Sequence, residues 1–113
     1  MQSKMLSDYV LSIRFDDLPQ AAVETGKMCV EDLLGVALSA SRRPEAKIWE
    51  TYFLDDPRTQ QSAVWKAGFA CIGFREAAGL NAALGHMLDM DDVHNSSITH
   101  LGTVTIPAAI AVG

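Results

Sequence analysis

Only two cysteines, Cys29 and Cys71, occur in the chain, far apart and in no CxxC or Cys/His spacing. They cannot supply the four thiolates of an ordinary iron–sulfur cluster. They read instead as buried, reduced thiols of an intracellular protein. An excess of basic charge is missing too: 9 Lys and Arg against 14 Asp and Glu leave a net charge of −5. That balance argues against nucleic acid or an anionic membrane as the main partner. The first eight residues hold no apolar core of a signal peptide, and no apolar run is long enough to span a bilayer. No membrane partner is expected, and a cytoplasmic location is the default. Internal repeats, coiled-coil heptads and low-complexity tracts are also absent.

What is there is apolar and helix-forming. The 113 residues are 49% hydrophobic, enough for one small domain that buries roughly 65% of its unfolded surface. Met5, Leu6, Tyr9, Val10 and Ile13 recur at helical spacing. The segment 15–19 breaks the pattern, with Asp16 or Asp17 as a cap for a second helix and Pro19 suited to its first turn. From Gln20 to about Ser39, Val23, Val30, Leu33, Leu34, Ala37 and Leu38 form a second stripe. Gly26 and Gly35 lie inside it, each costing up to ~1 kcal/mol against Ala, which predicts close packing of this helix against another. Residues 39–44 read as a loop, Pro44 opens a short helix carrying Ile48, Trp49, Tyr52 and Phe53, and 55–61 is polar loop around Pro57. The stretch 63–74 is short, apolar and glycine-punctuated, so periodicity leaves strand, helix and irregular chain open. Residues 75–90 return to a helix rich in Ala and Leu. Residues 103–107 lead into a final helix with Pro107 near its first turn. The whole reads as mostly helical and as stopping in mid-architecture.

One region concentrates reactive side chains: Asn81-Ala-Ala-Leu-Gly-His86-Met-Leu-Asp89-Met-Asp91-Asp92-Val-His94, followed by His100. It holds all three histidines. On a helix His86 and Asp89 share a face, and Asp92 extends it. Three carboxylates at a helix C-terminus oppose the helix dipole at about 0.3–1 kcal/mol each, so stability alone does not favour the pattern. Clustered carboxylates beside imidazoles suit acid–base work instead. On that reading Asp89 and His100 transfer protons, with His86, Asp91, Asp92 and His94 in support. The ligand types of a divalent-metal site are present. The HxxDxDDxH spacing, however, matches no metal motif with a defensible geometry and lacks the glycine and terminal Glu of an EF-hand loop. No metal and no cofactor is expected.

The run NAALGHMLDMDDVH, with His100 and TIPAAIAV downstream, resembles the MmgE/PrpD signature, roughly NGxxxHxLDxDDTH, then HP, then an apolar helix beginning near a proline. Upstream, LSDYVLSIRFDDLPQAAVETGKMCVEDLLGVALSAS resembles the family's opening. The two matches are collinear and cover most of the chain. The resemblance implies an all-α fold, with residues 1–113 as the N-terminal part of a helical domain that ends before it is complete and lacks the family's smaller lid domain. It implies a lyase or isomerase of the 2-methylcitrate dehydratase, cis-aconitate decarboxylase and iminodisuccinate epimerase type, acting on a small polycarboxylate and commonly homodimeric. It maps family active-site positions onto Asp89 and His100. Two positions depart from the signature: Val93 stands where the family has Thr, and Leu101 where it has Pro. A citrate-like anion needs cationic partners, and neither Lys47 nor Arg75 has an obvious route to the acidic motif. In the family, Lys, His and Tyr groups from later in the chain complete the site. The segment is therefore expected to be inactive alone. The alternative is a truncated, non-catalytic helical module whose uncovered apolar surface drives self-association.

Overall fold

A computed structural model of the chain describes residues 2–54, 60–68 and 70–113. Five α-helices lie among them: α1 (Gln2–Ser12), α2 (Gln20–Ala40), α3 (Ala46–Phe53), α4 (Phe74–His86) and α5 (Leu101–Val112). Two short strands, β1 (Ser62–Ala63) and β2 (Cys71–Ile72), pair antiparallel with Ser62 opposite Ile72. The mostly helical expectation holds. The undecided stretch 63–74 becomes this hairpin and the first residue of α4, with Phe69 outside the described residues. Of the polar loop expected at 55–61, residues 55–59 also lie outside them. No described helix is long and apolar enough to cross a membrane.

Helix α4 is the centre. It packs against α2, α3 and α5, and both strands touch it. Its buried positions Ala77, Leu80, Asn81 and Leu84 follow the i, i+3, i+4, i+7 rule, as do Leu33, Val36, Ala37 and Ala40 of α2. With Ala46, Val64, Trp65 and Ile72 these side chains form the core. Each fully buried leucine contributes about 1.5–3 kcal/mol. The glycine expectation on α2 is overturned: a Cβ at Gly26 or Gly35 would meet nothing within 4 Å. The close approaches occur at glycines on the partner helices, Gly79 against Phe53 and Gly85 against Leu33. Periodicity locates an apolar stripe but does not say which residue of it faces a neighbour.

Three boundaries also differ from expectation. Pro19 is the N-cap of α2, and Asp16 and Asp17 form a short 3-10 turn without capping it. Helix α4 ends at His86, so Asp89 and Asp92 are not on a helix and the shared face predicted for His86, Asp89 and Asp92 does not exist. Helix α5 starts at Leu101, six residues before Pro107, which lies inside it. Cys29 and Cys71 are free, as expected, but only half-buried.

Two buried polar groups hold the layers together. The Asn81 side chain, 1% exposed, accepts from the Trp65 N–H at 2.8 Å and donates to the Ala63 carbonyl at 3.0 Å, tying the hairpin to α4. Glu50 is buried on α3 and pairs with Lys66 at 2.5 Å and Lys47 at 3.5 Å. The Lys66 hydrogen bond holds the Glu50 carboxyl below its ordinary value of 4.5, against burial, which pushes it up. A depressed carboxylate stabilises the fold fully above its unfolded value, and that contribution disappears as pH falls through the folded value. Glu50→Gln is therefore expected to cost about 1.5 kcal/mol at neutral pH and to flatten the acid limb of stability below about pH 4.5. Urea unfolding of both proteins across that range checks it. Parallel curves would show that the pair does not couple to pH.

Candidate active site

After His86 the chain leaves α4 through a turn in which the Asp89 N–H donates to the His86 carbonyl at 3.0 Å. Met87 and Leu88 pack on the core, which pulls this loop against the domain. Asp89 sits in the left-handed region, φ 52°, a conformation that Asp tolerates better than most residues. The turn points its side chain outward, 82% exposed. Two residues on, the Asp91 side chain is fully buried.

Asp91 is the hub. The His86 Nδ1 lies 3.0 and 3.1 Å from its two oxygens, so in the Nδ1–H tautomer it donates to both. The His100 Nδ1 lies 3.1 Å from the Asp91 Oδ2 but off the line of a hydrogen bond, and this buried nitrogen has no other partner. The two imidazoles stack edge to face, centroids 4.7 Å apart. On its outer side the His100 Nε2 stands 3.9 Å from the Asp89 Oδ1. Asp89, Asp91, His86 and His100 thus form one cluster, each able to turn one donor atom to within 4.8 Å of the others. That donor set could surround a cation, yet the inner nitrogens face Asp91 as hydrogen-bonding or ion-pair partners do.

The other two predicted supports stand apart from this cluster. Asp92 turns away and accepts the Gly102 N–H at 3.0 and 3.2 Å. This carboxylate satisfies an orphan donor in the first turn of α5 and meets the positive end of its dipole. Its role is structural: it anchors the helix whose N-cap is His100. A methyl group on Gly102 would overlap the Asp92 carboxylate, so glycine is required for the approach. His94 pairs with the Ser97 hydroxyl at 2.8 Å, inside a turn closed by its N–H to the Thr99 carbonyl at 2.9 Å. It shapes the loop that returns the chain to His100 and does not join the cluster. Thr103 completes the placement by donating its hydroxyl to the Ala82 carbonyl, locking α5 onto α4.

The sequence reading missed the central position of Asp91 and the clamp at Gly102. Asp91 is five residues from His86 and nine from His100, spacings that no local rule connects. A glycine directly after a predicted His-Leu pair was the one available signal for the clamp. Electrostatically the cluster is anionic: among the described residues, no lysine or arginine pairs with Asp89, Asp91 or Asp92. The arrangement can hold and move protons between imidazole and carboxylate. Among the described residues, no lysine or arginine is paired with the cluster in a way that would grip a polycarboxylate.

In comparisons with known proteins, the family model described as MmgE/PrpD N-terminal domain matches residues 4–113. No curated protein and no solved structure matches the chain.

Proposed function

Because the chain belongs to the MmgE/PrpD family, which it matches over residues 4–113, we propose that it is the acid–base part of a lyase or isomerase acting on a small polycarboxylate, in the manner of 2-methylcitrate dehydratase. The observation that carries this reading is the His100 Nε2 facing Asp89 across 3.9 Å, with a buried carboxylate behind the ring. One group takes a proton from the carbon next to a carboxylate while the other delivers one. The anion is held by cationic groups from outside this chain. Proton NMR in D2O with 2-methylcitrate, citrate, cis-aconitate and iminodisuccinate tests both parts. The complete enzyme is expected to produce alkene signals or deuterium uptake beside a carboxylate with at least one of them, and the 113-residue chain alone none. Turnover by the chain alone would remove the need for outside cations, and silence from the complete enzyme would remove the substrate class.

A second reading has its own support. Helix α1 buries no residue, and Leu6, Tyr9 and Val10 are each more than half exposed. Between the 3-10 turn, α2 and α5 lies an apolar groove of about 660 Å³ walled by Phe15, Leu18, Val23, Val30, Leu34 and Ile106. We infer that this surface drives association of the chain with itself, whatever its catalytic status. Light scattering is expected to give a dimer or larger species that Val23→Glu converts to monomer. A wild-type monomer would sink the idea.

A further inference from the structure

The acid–base reading places proton transfer on Asp89 and His100, yet the best-oriented imidazole of the cluster is the other one. Among the described residues, His86 alone makes hydrogen bonds to Asp91, through Nδ1 to both carboxylate oxygens. The Asp91 side chain is wholly buried while that of His86 is 51% exposed. A carboxylate that no substrate can reach, bonded to the inner nitrogen of a half-exposed ring, holds the ring in one tautomer. It leaves Nε2 as a lone-pair acceptor on the outer edge.

His86 lines a cleft of about 510 Å³ between α3, α4 and α5, whose other walls include Trp49, Met87, Thr103 and Val104. The Thr103 hydroxyl is committed to the Ala82 carbonyl, and the Trp49 indole N–H can only donate, so among the described side chains of this wall the His86 imidazole is the one able to accept a proton. Among the described residues, no lysine or arginine lines it. A cleft of that make-up seats the hydrocarbon part of a substrate and leaves its carboxylates outside.

We propose that His86 is a second proton-transfer residue, positioned by Asp91, acting on a carbon-bound hydrogen presented in this cleft. The assignment extends the acid–base reading of the site and rests on it. In the step, the Nε2 lone pair takes the proton, and the C–H bonding pair stays on carbon, delocalised into the adjacent carboxylate. Asp91 stabilises the imidazolium through Nδ1–H. The reverse transfer returns the proton to carbon. Asp91 itself touches no substrate and is a positioning residue.

Diethyl pyrocarbonate, which acylates an imidazole nitrogen bearing a lone pair, tests the assignment on the chain as it stands, with peptide mapping to separate the three histidines. His94 is the internal reference, because it is exposed and lies outside the cluster. His86 is expected to react at least about fivefold faster than His94. In Asp91→Asn the amide donates to Nδ1, places the proton on Nε2, and drops His86 to the His94 rate or below. Val104→Trp fills the cleft and slows His86 alone. If Asp91→Asn loses its helical circular dichroism, the wild-type ranking and Val104→Trp decide. A His86 rate no faster than that of His94, or one unmoved in a folded Asp91→Asn protein, overturns the proposal. If that happens while Asp89→Asn still abolishes turnover of the complete enzyme, the acid–base reading survives without His86. Loss of both results would remove the two together.

Discussion

On the proposed acid–base reading, Asp89→Asn is expected to lower turnover of the complete enzyme by about 10²- to 10⁴-fold, the range for removal of a general acid or base, and to leave the fold intact. The second half of that expectation comes from the backbone. Asp89 occupies the left-handed region at φ 52°, and Asn is the residue other than glycine that shares this tolerance with Asp. Its side chain is 82% exposed and its one described ion-pair contact is the His100 Nε2 at 3.9 Å, so no buried group loses a hydrogen bond. The amide keeps the size of the carboxylate and removes its ability to accept a proton. Deuterium uptake beside a carboxylate, measured by proton NMR, should fall with turnover, and the urea midpoint should move little. Unchanged turnover would take Asp89 out of the mechanism. A large loss of stability would show that the residue holds the loop rather than the chemistry.

Gly102→Ala acts by a different route and damages both fold and site. The new methyl group would occupy the place of the Asp92 carboxylate. The substitution therefore expels the anchor of α5 and breaks the two contacts to its own N–H. A hydrogen bond to a charged group is worth about 1.5–3 kcal/mol, and forced overpacking adds roughly 1–3 kcal/mol. A destabilisation of about 3 kcal/mol or more is expected in urea unfolding. Because His100 is the N-cap of the same helix, the imidazole moves with it, and its edge-to-face contact with His86 is lost. In the NMR spectrum the His86 and His100 ring protons should shift and those of His94 should not. Asp92→Ala in the Gly102→Ala background should recover part of the stability, since it removes the overlap while the cap stays absent. No recovery would mean that the close approach matters less than the packing of α5 on α4.

The elements legible in the sequence are those built from local spacing. The buried positions of α2 and α4 repeat at i, i+3, i+4 and i+7, so a mostly helical chain is implied by periodicity. The Asp- and His-rich run marked the neighbourhood of the cluster by its density of titratable groups, although the helix-dipole argument against it does not apply, since α4 ends at His86. The internal order of that cluster was not legible. A helical face pairs His86 with Asp89, but the chain turns at His86, and the buried Asp91 takes the imidazole instead. Likewise Pro107 signals a helix start, whereas the cap is Asp92, ten residues before the N–H it accepts.

By itself, then, the sequence determined a mostly helical chain, the apolar stripes of α2 and α4, the family, and the place where its His and Asp residues gather. All of these rest on residues within about two helical turns of one another, or on a collinear motif. Tertiary structure alone decided that Gly85 and Gly102 are the close contacts and Gly26 and Gly35 are not. It also decided that Asp91 rather than Asp89 lies between the two imidazoles, and that Asp92 serves as a cap. The Gly85 approach depends on α2 crossing α4 at Leu33, and the others on α5 folding back over the end of α4, where Thr103 meets Ala82 and Gly102 meets Asp92. Local periodicity specifies which side of a helix seeks burial. It does not specify which groups of another segment arrive there, and the partners of a buried carboxylate are of that second kind.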